Sequence, residues 1–443
     1  MNQAITLIGA GVLALAVAGW LFALAPRMAG RLRVLMTLLV LAFAGAAASQ
    51  GFGVGGVGIQ LPGWQNIGQA ATLLNLAVPA FAAFCLYLAP VRVMWAGWAG
   101  LLVYGLSLIA AGFLGTQAGY GEISIYPVLL AMSGAIATAY IPRLRLLRLI
   151  RGTLIALCMG SLIYWGVLPE WATSNPDALT GSPTAQAYQY SSIGLNVRLH
   201  GLQPHGNGLG YIAATVLLLS LYAPLRFGRW DWLWQLSALA CLVLSQSKTM
   251  WLATALGVGV YALSQVGQLP PIKRGLSQLV LTAAILAGLF AVTVAAPQLD
   301  EADLTLTGRT NVWAVTLKEF QTNPVAGYGP ALWGEEYRNA QGSGFAWVGQ
   351  AHNQIVQTVG QSGAIGAAGL AFALLSLIGM AWRSRTMTSG ASLALLTLLI
   401  VRGVSETPLR FGLDTGALVV LAVYLLATAT SDNQTFLSPR SPA

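Results

Sequence analysis

The feature that most constrains this chain is its succession of apolar stretches, each about as long as a bilayer is thick. A membrane-spanning helix needs about 20 predominantly apolar residues. Thirteen stretches fit, at 4–25, 34–51, 69–89, 93–114, 123–140, 152–168, 209–225, 232–246, 250–266, 276–296, 351–380, 389–403 and 411–429. Hydrophobic residues make up 56% of the 443 and charged residues only 8%, against about 25% charged in a soluble domain. No soluble core hides that much apolar surface. In lipid the backbone must satisfy its own hydrogen bonds, which leaves helices or a closed barrel. The runs lack the two-residue alternation of a barrel strand. The expectation is an all-α integral membrane protein with about 12–13 transmembrane helices, one polytopic domain over 1–443 with a large, partly helical outer loop. Residues 4–25 lack a basic stretch before them and read as a first span, not a cleaved signal. Cys85, Cys158 and Cys241 all fall in apolar runs and read as inert core thiols.

The connections alternate in charge. One set holds Arg27, Arg31, Arg33, Arg92, Arg143, Arg145, Arg148, Arg151, Arg226, Arg229, Lys273, Arg274, Arg383, Arg385 and Arg440, with Asp231 and Asp432 its only acids. Basic connections stay cytoplasmic, so this set lies inside, with the N-terminus outside and the C-terminus inside. The net charge of +9 is therefore a sidedness signal, and nucleic acid is not the expected partner. The loops 169–208 and 297–350 fall on the outer face, which in a bacterial inner membrane is periplasmic. His200, His205 and His352 lie there, with Arg198, Lys248, Arg309, Arg402 and Arg410.

The 297–350 loop has internal structure. Thr307-Gly308-Arg309-Thr310 reads as a turn and helix cap, followed by a short helix over 311–321 with Trp313, Leu317 and Phe320 on one face. An interfacial helix with an aromatic belt and a lid over a lipid-linked ligand both fit this pattern. His352 follows the loop at the head of an apolar run, where an imidazole is suited to take a proton, and Asn353 beside it is suited to orient a sugar hydroxyl. Arg198, near headgroup level, suits bidentate phosphate binding or plain lipid contact. Lys248 lines a polar cavity or snorkels. Arg402 and Glu406, at i and i+4, read as an ion pair. Asp300, Glu301 and Asp303 read as a solvated turn, and the histidine spacing does not suit zinc. Bases without a metal site suit a diphosphate leaving group.

Several motifs resemble the O-antigen ligase/polymerase family. They are Thr307-Gly308-Arg309 with Trp313, then Pro324-Val325-Ala326-Gly327-Tyr328-Gly329, then Ala351-His352-Asn353 with Gly363. His352 and Gly363 match the family's His-x10-Gly pattern, and Arg198 with Leu202 its Arg-x3-Leu pattern. Ser245-Gln246-Ser247-Lys248 is similar to its Ser-x-Ser-Arg/Lys motif, with Lys248 lacking the bidentate geometry of arginine. The resemblance covers about 190–410 and implies a ligase/polymerase-like core there.

It implies a membrane-embedded, C-type glycosyltransferase without metal or cofactor. Such an enzyme moves an undecaprenyl-diphosphate-linked glycan en bloc to an acceptor hydroxyl, either a second glycan or lipid A-core. His352 would be the base, Arg198, Lys248 and Arg309 would hold the diphosphate, and Asn353, His205, Arg402 and Tyr328 would line the substrate. Family ligases have twelve spans against thirteen here. The Thr-Gly-Arg-Thr block and Pro204-His205-Gly206-Asn207 lean toward a polymerase of O-antigen or exopolysaccharide repeats, and the two ligase-style patterns lean the other way. A transporter or flippase is the competing class. Its usual inverted repeats are not evident in the sequence.

Overall fold

The computed structural model describes residues 95–118, 122–167, 169–173, 198–203, 205–266, 309–345, 348–410 and 415–429. The expected spans at 4–25, 34–51, 69–89 and 276–296, most of the 169–208 loop, the acidic trio near 300, Thr307 and Gly308, and Cys85 lie outside these residues. The described elements are helical: α1 (Ala99–Leu114), α2 (Glu122–Tyr140), α3 (Arg143–Val167), α4 (Gly206–Ser220), α5 (Asp231–Leu244), α6 (Lys248–Val266), α7 (Arg309–Thr322), α8 (Glu335–Gln341), α9 (Gln354–Ser384), α10 (Ala391–Ser405) and α11 (Thr415–Ala427). The chain is an all-α membrane protein.

Among the described residues, α3, α6 and α9 are long and apolar enough to cross a membrane. The core threads between helices, with Leu154, Cys158, Leu209, Ile212, Leu218, Cys241, Ala394 and Val420 all fully buried. Cys158 and Cys241 are free thiols.

The helices share a basic end. There the Arg143 guanidinium donates to the Thr428 carbonyl, Arg148 donates twice to the Pro224 carbonyl, and Gln265 donates to the Ser389 carbonyl. At this end Arg151, fully buried, forks onto Asp231 with bonds of 2.8 and 2.9 Å. It also donates to Ser220 and the Leu225 carbonyl. One charge pair thereby ties α3, α4 and α5 together. A buried pair is tolerable only with its hydrogen bonds filled, and Asp231 also accepts from Phe227 N–H and Gln235.

The opposite end holds the long connection between α6 and α9. Its helix α7 runs over 309–322, close to the expected 311–321. Its buried side is Val312 and Thr316, however, while Leu317 is exposed. Of the stripe expected on one face, Leu317 is exposed, Phe320 is half-buried and Trp313 is half-buried against the small core. Val312 packs with Leu332, Trp333, Tyr337, Val348 and Ala351 in a separate small core. Trp333 donates to Thr316.

The largest departure from the expected spans is inside α9. Gly363 has φ 55 and ψ −152, which breaks the helix. Residues 354 and 369 would stand about 22 Å apart along a straight helix. Yet the Tyr104 hydroxyl bonds to Gln354 and Thr358, while a Cβ on Gly369 would sit 3.3 Å from the Tyr104 Cα. A Cβ on Gly366 would likewise meet Thr358 at 3.2 Å. The short arm, 354–362, thus folds back beside the long arm, 363–384. The long arm reaches about 33 Å, enough for the roughly 30 Å of hydrocarbon. The straight part long enough to span is thus the long arm, shorter than the expected 351–380, and His352 heads the short arm.

The loop 324–329 fills the break. Tyr328 and Gly329 N–H donate to the Gly360 and Gln361 carbonyls, and Ala364 and Ile365 N–H donate to the Pro324 and Val325 carbonyls. The far side of the same loop accepts from Thr116 and Gln117 N–H beyond α1. A Cβ on Gly363 would lie 2.5 Å from Val325 and Ala326 backbone atoms, so this position needs glycine both for its φ and for the approach.

Candidate functional site

Four helices stop short at the end away from the arginines. The helices α4, α5, α10 and α11 have 15, 14, 15 and 13 residues, so each reaches only about 20–22 Å. A polar layer closes the gap above them. At its centre is Glu406, only 4% exposed, which caps the C-terminus of α10 in an extended conformation.

Each Glu406 oxygen takes two donors. Oε1 accepts from Asn207 Nδ2 at 3.0 Å and from Arg309 at 3.4 Å. Oε2 accepts from Gln350 Nε2 at 3.0 Å and lies 3.0 Å from His352 Nδ1. Burial alone would push this carboxyl up. The His352 hydrogen bond and the nearby Arg402 and Arg309 guanidiniums outweigh it and hold the carboxyl well below the usual carboxylate range. An ionised carboxylate only accepts, so His352 carries its proton on Nδ1 and donates. The other ring nitrogen, Nε2, is left as the basic one.

His352 has φ 50, a left-handed conformation that is uncommon outside glycine and a strain of the kind that collects at functional sites. The fold holds it on both sides. Trp313 Nε1 donates to the Ala351 carbonyl at 2.8 Å, and Ala351 N–H donates to Gln357 Oε1 at 2.7 Å. Asn353 then caps α9, accepting from Ile355 and Val356 N–H, while its amide donates to the Val404 carbonyl. Both ends of Asn353 are thus engaged by the fold.

Arg198 approaches through Asn207. Its Nε donates to the Ser245 carbonyl at 3.1 Å, and its terminal nitrogen donates to Asn207 Oδ1 at 2.9 Å, which also accepts from Ser247 at 3.0 Å. Asn207 therefore relays between Arg198, the Ser245–Lys248 turn and Glu406. A Cβ on Gly206 would meet the Ser245 carbonyl and Arg198 Nε within 3 Å, which explains the glycine between His205 and Asn207. Lys248 opens α6 beside this turn and is exposed. His205 is exposed, and its Nδ1 accepts from Gly208 N–H as the cap of α4.

Arg309 opens α7 and donates at 2.6 Å to the Ser405 carbonyl. Arg402 does not form the expected i, i+4 bond with Glu406. Its guanidinium lies 3.9 Å over the Tyr211 ring and donates to the Asn207 carbonyl. The reason is the end of α10: Glu406 leaves the helix with φ −150, which turns its side chain toward α7 and His352. Arg410 donates to the Gly349 carbonyl beside Gln350. Tyr328 is elsewhere: its backbone sits in the α9 break and its ring lies edge-on to Tyr337 at 4.7 Å.

The structure therefore gathers Arg198, Arg309, Arg402 and His352 around Glu406, with Lys248 and His205 at the rim. Asn207, Gln350 and Glu406 were not expected as the connecting residues. Pro204-His205-Gly206-Asn207 was noticeable as a motif, and Glu406 was visible as a lone acid between two apolar runs. Among the described residues, Arg198, Arg309, Arg402 and Arg410 outnumber the carboxylate in this layer, a surplus of positive charge suited to an anion of more than one charge.

No curated protein matches the chain. The sequence model of the O-antigen ligase family matches residues 233–371, from the first turn of α5 into the long arm of α9. The match takes in Lys248, Arg309, Tyr328, His352, Asn353 and the Gly363 break, and over that part of the chain it supports an O-antigen ligase/polymerase assignment.

Proposed function

We propose that this protein transfers a glycan from an undecaprenyl-diphosphate carrier to an acceptor hydroxyl, with His352 as general base. The reaction takes place at the periplasmic side of a bacterial inner membrane. The observation that carries the reading is the His352–Glu406 contact beneath a set of arginines. The carboxylate fixes the tautomer and would stabilise the imidazolium that forms when Nε2 takes the acceptor proton. The acceptor oxygen then bonds to the anomeric carbon as the carbon–oxygen bond to the diphosphate breaks. The departing diphosphate gathers charge, and Arg198, Arg309 and Lys248 offset it. Glu406 acts as a positioning residue, and Arg402 holds Asn207 in place.

The acceptor defines the activity. The Thr-Gly-Arg-Thr and Pro-His-Gly-Asn stretches lean toward polymerisation of O-antigen or exopolysaccharide repeats. The test supplies undecaprenyl-diphosphate-linked glycan to the reconstituted protein, with and without lipid A-core. A ladder of longer lipid-linked chains without core means polymerase, and a product only with core means ligase. His352→Ala, folded as the wild type, abolishes either product. Carrier movement across the liposome with no new glycosidic bond would instead mean transport and overturn the proposal.

A further inference from the structure

A second charged surface lies at the basic end, away from Glu406. Arg148 donates through Nε and a terminal nitrogen to the Pro224 carbonyl, at 3.0 and 2.8 Å. This bond brings α3 against the turn 223–230, which carries Arg226 and Arg229. Arg226 donates through Nε to the Ser220 carbonyl, and the Arg229 guanidinium lies 5.3 Å over the Trp230 ring. Arg148, Arg226 and Arg229 are exposed, as are Trp230 and Trp232 beside them.

Among the described residues, no carboxylate pairs with these arginines. Across all its basic connections the sequence supplies only Asp231 and Asp432, and Asp231 is engaged by Arg151. The bonds to the Pro224 and Ser220 carbonyls use Nε and one terminal nitrogen of Arg148 and Nε of Arg226, and both side chains remain exposed. Indole rings at this position favour the headgroup level of a bilayer, where arginine forks pair bidentately with phosphate. The N-terminus of the 25-residue helix α3 adds further positive potential on the same side. We infer that Arg148, Arg226 and Arg229 form a binding site for the phosphate headgroup of an anionic phospholipid, with Trp230 and Trp232 seated in the interface beside it. The lipid clamps the α3–α5 junction that the Arg151–Asp231 pair closes from within. This site is independent of the transfer chemistry at the other end.

The test uses the purified full-length protein, delipidated in detergent and given equal amounts of phosphatidylglycerol and phosphatidylcholine. Native mass spectrometry then reads the bound lipid. The wild type retains phosphatidylglycerol preferentially. Each arginine replaced by glutamine lowers that preference by about fivefold, and the triple variant loses it. Arg229→Gln alone, exposed and bonded to nothing but a ring face among the described residues, gives the single-step drop even where the triple variant does not fold. A triple variant or an Arg229→Gln variant with wild-type preference overturns the inference, as does equal retention of both lipids by the wild type. Excess inorganic phosphate at constant ionic strength leaves the preference in place. Its loss under phosphate would mean a site for the free ion and would overturn the lipid assignment.

Discussion

Replacing Glu406 with glutamine changes one atom and disturbs four partners. The carboxylate takes Asn207 and Arg309 on Oε1 and Gln350 and His352 on Oε2. Glutamine offers one oxygen and one NH2 group. Whichever way the amide turns, its nitrogen faces two donors, so two of the four bonds are lost. Hydrogen bonds to a charged group contribute about 1.5–3 kcal/mol each and neutral ones about 0.5–1.5. With the amide oxygen kept toward His352, the imidazole still loses about 1–2 kcal/mol of charge-assisted support. The unpaired Arg309 and Asn207 shift the diphosphate side as well. A combined loss of about 3 kcal/mol at the transition state is roughly a hundredfold in rate. The assay is single-turnover transfer by the reconstituted protein, paired with a melting curve. Transfer within about threefold of wild type at an unchanged melting midpoint would refute the positioning role. A double variant with His352→Ala should lose less than the two single losses combined, because part of the Glu406 effect acts through the histidine.

Other outcomes follow from the same contacts. Because the folded Glu406 carboxyl is held below its ordinary value, the stability it contributes is complete above about pH 4.3 and is lost as the pH falls toward the depressed value. Melting midpoints of wild type should therefore fall more steeply below pH 4 than those of Glu406→Gln. Gly363→Ala, forced to φ 55 against the Val325 and Ala326 backbone, should lower stability by at least ~1–3 kcal/mol and expose the 324–329 loop to limited proteolysis. Asp231→Asn leaves Arg151 buried beside a neutral amide and should lower stability by about 3–5 kcal/mol, read by thermal unfolding in detergent.

Much of the fold was legible because lipid enforces a simple rule. Apolar length separated by basic connections marked most of the described spans, including α5 and α10, the two shortest expected, whereas α3 starts at Arg143, nine residues early and inside an expected basic connection. The break in α9 was not legible in that way. Gly363 lies in an unbroken apolar run, and its φ follows from the 324–329 loop that supplies hydrogen-bond partners from more than 30 residues away. The buried side of α7 was not legible in the helix itself, because Trp333 and the small core that select Val312 and Thr316 come later in the chain.

The site was legible as residue types and less so as a network. His352, Arg198 and Arg309 were marked by their position beside long polar loops. Glu406 was read as a local partner of Arg402, which assumes the helix continues. The helix ends at Ser405, and that single change of backbone direction moves the carboxylate to His352. Asn353, read as a sugar ligand, also caps α9, accepting from the first N–H groups of the short arm.

The most direct test of the account is the transfer reaction itself, run with full-length protein in proteoliposomes, undecaprenyl-diphosphate-linked glycan as donor and a second glycan or lipid A-core as acceptor. New glycosidic product and released undecaprenyl diphosphate should appear with the wild type and be absent with a folded His352→Ala variant. Product formed by that variant at the wild-type rate would contradict the assignment of His352 as the base on which the account rests.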